Sequence, residues 1–583
     1  MRRGRRYALL AGLVVWAIVG AVACGGEKKE PTRPGPAVAE RTPETTTGAY
    51  TPAPKDQQVF TIAMTAQPVY LDPHKSQFAQ DIAIERLLYR PLFWLDEKGN
   101  AIAAVAKEIP TQQNGGISAD GKTVRVTIKD NQKWSDGSPL TAKDFEYSFK
   151  RAVHPKLASP YAEELFNIVG AKAYYESKSS DPAELARLRD EIAVKAIDDK
   201  TLEVKLINPQ PTFVFKWGLW IAYPVKQSAV ERGGAPIENT EWAIQPGRQI
   251  GNGPFVLKEY REKDRIVLEA NPNYSLEPKP KLSRVEVRII EDEETAFNAF
   301  QTGEVMYAAV PPSKVPLVDS DPNLKRLNIR GPDPTVFWLQ FQHEVPVLKN
   351  QKVRLAIAKA IDRQAFVKAV LAGVGEPTTL FMHTSLPGQN PSDGDVLTYD
   401  PARAKQLLAE AGYPNGQGFP RLNFLSSSTT VAKAIAEFIQ KQLKDNLNID
   451  INLEIVDTRT RSARYSASQF ELALGGWHED YHDPENWLPT LMATGATNNQ
   501  LKYSNPRFDE LVRQAQFELN NEKRLQLYAQ ANKILLEDAA VAPIYQRVRN
   551  AVVASKVKNL VPHSQDSGWA GNMLIERIEI ARE

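Results

Sequence analysis

The chain has 583 residues, 42% apolar and 24% charged, with a formal net charge of +2. That balance is ordinary for a folded globular protein and gives no footing for a nucleic-acid partner. Its single cysteine, Cys24, excludes an internal disulfide and any cysteine-based metal cluster.

The first residues read as an address. Arg2, Arg3, Arg5 and Arg6 precede an apolar run from Ala8 to Ala23, which is the layout of a secretory signal over residues 1–23. Ala21, Val22, Ala23 and Cys24 resemble a lipobox, in which the cysteine is lipidated and becomes the new N-terminus; that pattern prefers Leu where Ala21 stands. An uncleaved membrane anchor is the alternative, because the run is near the lower limit for a span. The arginine pairs also fit a twin-arginine export route. Residues 24–57 are rich in Pro, Thr, Gly and charge, so they are expected to form a disordered tether behind a lipidated Cys24. No second long apolar run follows residue 24, and the body is expected to be soluble. At about 150 residues per domain, the remaining length allows roughly three or four domains.

Alternation of apolar and polar residues marks half-buried strands. It predicts strands at Phe60–Met64, Val124–Ile128, Leu202–Leu206 and Val285–Ile289. Trp134-Ser135-Asp136-Gly137 predicts a turn with Gly137 at positive φ. Asn252-Gly253-Pro254 breaks the chain before a strand at Phe255–Leu257. Tyr399-Asp400-Pro401 starts a helix carrying Leu407, Leu408 and Ala411, because Asp caps well and Pro suits the first helical position. Tyr413-Pro414-Asn415-Gly416 stops it. Ile435, Phe438, Ile439 and Leu443 have helical spacing and lead into an alternating strand at Ile449–Ile455. Phe470–Leu474 reads as a strand, and Arg524–Leu536 as a helix with a core face. The mixture predicts an α/β protein.

The punctuating segments, in order, resemble the large solute-binding proteins of oligopeptide and dipeptide ABC importers. Leu71-Asp72-Pro73-His74-Lys75 is similar to that family's early loop. Lys133–Phe145, Ala158–Ala162, Gly251–Phe255 and Asn271–Tyr274 follow. Then come Val353–Ala356, Ala360–Arg363, Tyr399–Pro401 with Ala409–Pro414, and finally Gly476-Trp477, Asp480-Tyr481 and Asp483-Pro484. The resemblance covers almost everything after residue 57. It implies a two-lobed periplasmic-binding-protein-like fold of the large peptide-binding class, with an extra domain on the first lobe. Lobe I would comprise 58–89, 224–333 and 547–583, the extra domain 90–223, and lobe II 334–546. It further implies a monomer without cofactor, tethered to a membrane, that captures a peptide between closing lobes and passes it to a permease.

Within that resemblance, Asp480 of Gly476-Trp477-His478-Glu479-Asp480-Tyr481 corresponds to the family aspartate that pairs with the peptide α-ammonium. Such a charge needs a fixed partner, because a buried unpaired charge is very costly. Backbone contacts are expected from Gly476, Trp477 and His478 and from Gln77, Phe78 and Ala79. Tyr161, Trp338 and Tyr481 are further candidates for the cleft, although Phe78 and Trp338 equally suit plain core packing. Two departures matter. Some family members carry Arg where this chain has Leu474, and His where it has Ala432, so capture of the peptide carboxylate is left open. Nickel chelate, haem, a sugar oligomer or a signalling peptide are alternative cargoes.

His478-Glu479-Asp480-Tyr481-His482 also matches H-E-x-x-H, a zinc-protease signature. That chemistry requires a helix to turn both histidines to one metal. Gly475, Gly476 and Pro484 bracket the segment, and such residues punctuate helices. No Walker A, G-x-S-x-G or Rossmann fingerprint occurs. His74, His154, His343, His383 and His563 are scattered.

Overall fold

The computed structural model describes residues 50–582. The predicted leader, Cys24 and the tether up to residue 49 lie outside the described residues.

The alternating segments form strands. Those of the main sheet are β1 Val59–Met64, β2 Phe255–Arg261, β3 Arg265–Ala270, β4 Arg284–Ile289, β5 Tyr307–Ala309, β6 Asn328–Phe341, β7 Leu422–Ser427, β8 Ile451–Val456, β9 Leu472–His478 and β10 Val541–Val553, with the short strand Glu376–Pro377 paired to β10 off the main path. Their spatial order is β8-β7-β9-β6-β10-β5-β1-β4-β3-β2. The alternating segments at 123–127 and 201–205 form a separate small sheet with Val194–Ala196.

Strands β6 and β10 tie the halves of the sheet together. They pair antiparallel from Asn328–Val552 to Gln340–Val541. Near one end β10 pairs with β5; toward the other, β6 pairs with β9. Their ladder is interrupted between Pro332 and Val336 and again between Phe337 and Trp338. Pro332 and Pro334 have no N–H to offer a ladder. The break therefore falls where the two halves meet, a natural place for a bend.

Two large apolar clusters flank this crossing. One contains Phe60, Ile62, Trp217, Trp220 and Trp242. The other contains Trp338, Trp487, Phe508 and Tyr528. Trp477 packs against both.

Three helices frame the space between them: α1 Ala79–Leu88, α2 Thr430–Leu447 and α3 Thr458–Ser466. In α2 the periodic Ile435, Ile439 and Leu443 are buried, and Asn448 closes the helix in the left-handed region at φ 55°. In α3 the Asp457 side chain caps the start by accepting from the Thr460 amide at 2.9 Å. The helix predicted after Asp400 spans Pro401–Glu410, with Asp400 accepting from the Arg403 amide.

Two expectations change. Residues 50–57 are not loose tether. The Ala53 amide donates to the Ile580 carbonyl at 2.8 Å, and the Arg582 amide to the Thr51 carbonyl at 2.8 Å. The C-terminal segment thus supplies the backbone partners that composition alone does not reveal. The strand expected at Phe470–Leu474 instead spans Leu472–His478 and runs through both glycines.

Candidate functional site

A cavity of about 420 Å³ opens between β9, β6, α1 and α3. Asp480, Trp477, Gly476, His478, Gln77, Phe78, Ala79, Tyr161 and Trp338 all line it, as do Leu474 and Ala432. Tyr481 does not. Its ring is buried and stacks on Phe215, with centroids 5.6 Å apart.

One wall is a strand with an open edge. β9 pairs with β6 along its whole length, from Phe341–Leu472 to Thr335–His478. On its other side only Leu472 and Ala473 are paired, with Phe424 and Leu425 of β7. Leu474, Gly476, Trp477 and His478 continue along the cavity beyond that pairing. An unpaired edge presents N–H and C=O groups to any extended chain laid beside it. Glycine is needed at two places on this strand because side chains of β6 crowd it. A Cβ on Gly476 would lie 2.5 Å from the Phe337 ring, and one on Gly475 would lie 2.4 Å from Trp338 Nε1.

Asp480 stands just past the end of β9 and is buried. Its Oδ2 accepts from Asn486 Nδ2 at 3.0 Å and from the Tyr161 hydroxyl at 3.3 Å. Its backbone amide donates to Asn486 Oδ1 at 2.7 Å. Among the described residues no cation forms an ion pair with it. The nearby Arg86 guanidinium is occupied by the Gln565 carbonyl and the Ser567 hydroxyl. Burial pushes the Asp480 carboxyl up to about 7, more than the Asn486 hydrogen bond and Arg86 pull it down. The site therefore holds a carboxylate poised to gain a cation.

The aromatic wall is continuous. Tyr161 packs edge-on against Trp220 and stacks with Trp477. The Trp477 indole donates to Asn486 Oδ1 at 3.0 Å, so Asn486 fixes both Trp477 and Asp480. Nothing in the spacing of Asp483-Pro484-Glu485-Asn486 announces this role; only the fold brings it under the strand. Further in, Lys216 Nζ lies 2.8 Å from Glu164 and 2.9 Å from Glu485, all three buried. This ion triad joins the 162–216 region to the segment after Asp480.

The other charges on the wall are Arg461 and Arg547. Arg547 pairs with the buried Asp333 at 3.0 Å. Burial alone would raise the Asp333 carboxyl, but Arg547 and His478 outweigh it and hold the group well below the usual range.

The H-E-x-x-H segment is not helical. His478 is the last residue of β9, and irregular chain follows. His478 Nδ1 lies 2.9 Å from Thr335 Oγ1. His482 Nδ1 lies 2.9 Å from Glu479 Oε1, which also accepts from Gln565 Nε2 at 3.0 Å. The helical face that the metalloprotease arrangement requires is thus missing, and Glu479 is held by His482 and Gln565. Among the described residues no group of three or more His, Cys, Asp or Glu side chains is placed to hold a metal ion.

Comparison with known proteins agrees with this architecture. Residues 102–499 match the family model of bacterial extracellular solute-binding proteins, family 5 Middle. The oligopeptide-binding protein OppA of Bacillus subtilis is 30% identical over 499 residues, covering 84% of this chain and 88% of the relative. The murein tripeptide binding protein MppA of Escherichia coli superimposes with a TM-score of 0.79 at 28% identity, over 90% of this chain and 99% of that one. The unliganded open form of MppA fits less well, with a TM-score of 0.64 at 28% identity over 92% and 99% of the two chains. With a match over more than half of its length, the chain belongs to the family 5 bacterial extracellular solute-binding proteins and has their two-lobed α/β fold.

Proposed function

We propose that the protein is an exported receptor, anchored to the membrane through a lipidated Cys24, that encloses an oligopeptide between its lobes and hands it to an ABC importer permease. Lobe I would comprise 58–89, 224–333 and 547–583, the extra domain 90–223 and lobe II 334–546. The observation that carries the peptide reading is Asp480: a buried carboxylate without a cation, beside an open strand edge. A peptide supplies both complements. Its α-ammonium would complete Asp480, and its backbone would extend the sheet, leaving side chains to roomy pockets that tolerate variety. The relatives OppA and MppA, an oligopeptide-binding and a murein tripeptide binding protein, support the same cargo class.

Mass spectrometry of ligand co-purified from the host tests the cargo. Short peptides are expected; haem, a metal chelate or a sugar oligomer as the bound species would overturn the peptide reading. Metabolic labelling with a fatty acid tests the anchor. Label that survives Cys24→Ser would rule out lipidation at Cys24.

A further inference from the structure

The charged side chains on the cavity wall are few, and among the described residues two of them, Asp480 and Arg461, have no counter-charge. Asp480 lacks a cation, and Arg547 is committed to Asp333 at 3.0 Å. Arg461, on α3, is a cation without an anion. Its guanidinium lies 4.4 Å from the Tyr465 ring centroid and donates from Nη2 to the Leu474 carbonyl. Among the described residues it makes no ion pair with a carboxylate. Arg464, on the same helix, shows the contrast, since it pairs with Glu454 at 2.7 Å.

A guanidinium has several donors in a rigid fork that matches a carboxylate. One carbonyl and one aromatic face leave most of that fork unused. Tyr465 and Leu474 hold the group in place on the cavity wall, which is how a receptor for a carboxylate is pre-organised.

Position along the strand gives the second observation. Arg461 grips Leu474, where β9 loses its outer partner, and Asp480 lies just beyond the other end of that open edge. A chain added with its ammonium at Asp480 and its carboxylate at Arg461 runs antiparallel to β9. From Leu474 to Asp480 the extended backbone rises at most about 20 Å, which matches an extended peptide of about four to six residues.

We propose that Arg461 receives the C-terminal carboxylate of the bound peptide, so that Asp480 and Arg461 clamp opposite ends and set its length. The proposal rests on the peptide-binding reading above. Dipeptides would be too short to reach both charges, and peptides much longer than about six residues would have to leave the cleft.

Calorimetry with a panel of tetra- and pentapeptides of varied sequence tests it. Each tight binder is compared as free acid, C-terminal amide and N-acetyl derivative, on the wild-type protein and on Arg461→Met and Arg461→Lys. Amidation is expected to weaken wild-type binding about tenfold or more, as loss of a charge-assisted pair does. In Arg461→Met the free acid should bind no better than the amide, while the penalty for N-acetylation persists and shows that the cleft is intact. Arg461→Lys should restore part of the preference. An amide that binds wild type as well as the acid, or an amidation penalty that survives in Arg461→Met, would overturn the assignment and leave the peptide reading standing. Failure of every panel peptide to bind wild type would instead remove the peptide reading, and this inference with it.

Discussion

Asn486 grips Asp480 at two points, accepting from its backbone amide at 2.7 Å and donating to its carboxylate at 3.0 Å. The same Asn486 oxygen takes the Trp477 indole N–H at 3.0 Å. One buried amide thus sets both the anion and the aromatic wall. Asn486→Ala removes a partner from each. Leaving buried polar groups unsatisfied costs about 1–3 kcal/mol, so the variant should unfold at lower urea concentration and bind peptide at least about tenfold more weakly. Unchanged stability and affinity would show that Asn486 does not position Asp480.

Peptide affinity should depend on pH through Asp480. Burial raises its carboxyl to about 7 in the unliganded protein, and only the ionised form can pair with an ammonium. A bound ammonium favours the ionised form and lowers the pKa again. Binding therefore releases a proton near and below neutrality. Affinity should be highest between about pH 7 and 8 and fall by up to about tenfold per unit as the pH drops below that window; above about pH 8 it should fall again as the peptide α-amino group loses its proton. Tyr161, Glu164 and Arg86 also face this carboxyl, and Asp480→Asn provides the control that should flatten the profile. A wild-type affinity that stays constant from pH 8 to pH 5 would contradict this assignment.

The buried triad of Lys216 with Glu164 and Glu485 should hold the extra region against the segment after Asp480. Lys216→Met leaves two carboxylates buried without their cation. Breaking such a group from one side costs about 3–5 kcal/mol. Protonation can relieve part of this, since burial already raises the Glu485 carboxyl, so the loss should be larger at pH 8 than at pH 6. Denaturant titration at both pH values measures it. Equal losses at the two values would argue against a charge effect.

Gly476 should resist even the smallest side chain. A Cβ there falls 2.5 Å from the Phe337 ring, which is itself stacked on Tyr545 at 4.9 Å. Overpacking of this kind costs about 1–3 kcal/mol. Gly476→Ala should lower thermal stability and weaken peptide binding together, because the same strand edge serves both. Phe337→Leu, introduced with it, should recover part of the stability.

Much of the scaffold was legible in the sequence. Strands such as β1 and β4 announce themselves because one face is buried, which forces alternation at Phe60 and Ile62 or at Val285 and Val287. Helix starts at Asp400 and Asp457 obey local capping chemistry, although only the first was anticipated. The site was partly legible, through a motif that places Gly476, Trp477 and Asp480 together. What stayed hidden depends on long-range packing. Asn486 has no spacing signature, and Arg461 belongs to a helix of low apolar content that only the fold brings against the Leu474 carbonyl. Tyr481 shares the motif with Asp480, yet its ring stacks on Phe215 and not along the cleft. Residues 50–57 look like tether by composition, and their partners, Ile580 and Arg582 on the C-terminal segment with Gln58 and Asn559, give them a fixed place.

The most direct test of the account is calorimetry of Asp480→Ala beside wild type, each with a tight-binding peptide and its N-acetylated form. Wild type should bind the free peptide about 100-fold or more tightly than the acetylated one, and Asp480→Ala should bind both weakly and alike, because a buried ion pair loses all of its function when either partner goes. Equal wild-type affinity for the free and acetylated peptides would contradict the claim that Asp480 grips the peptide ammonium.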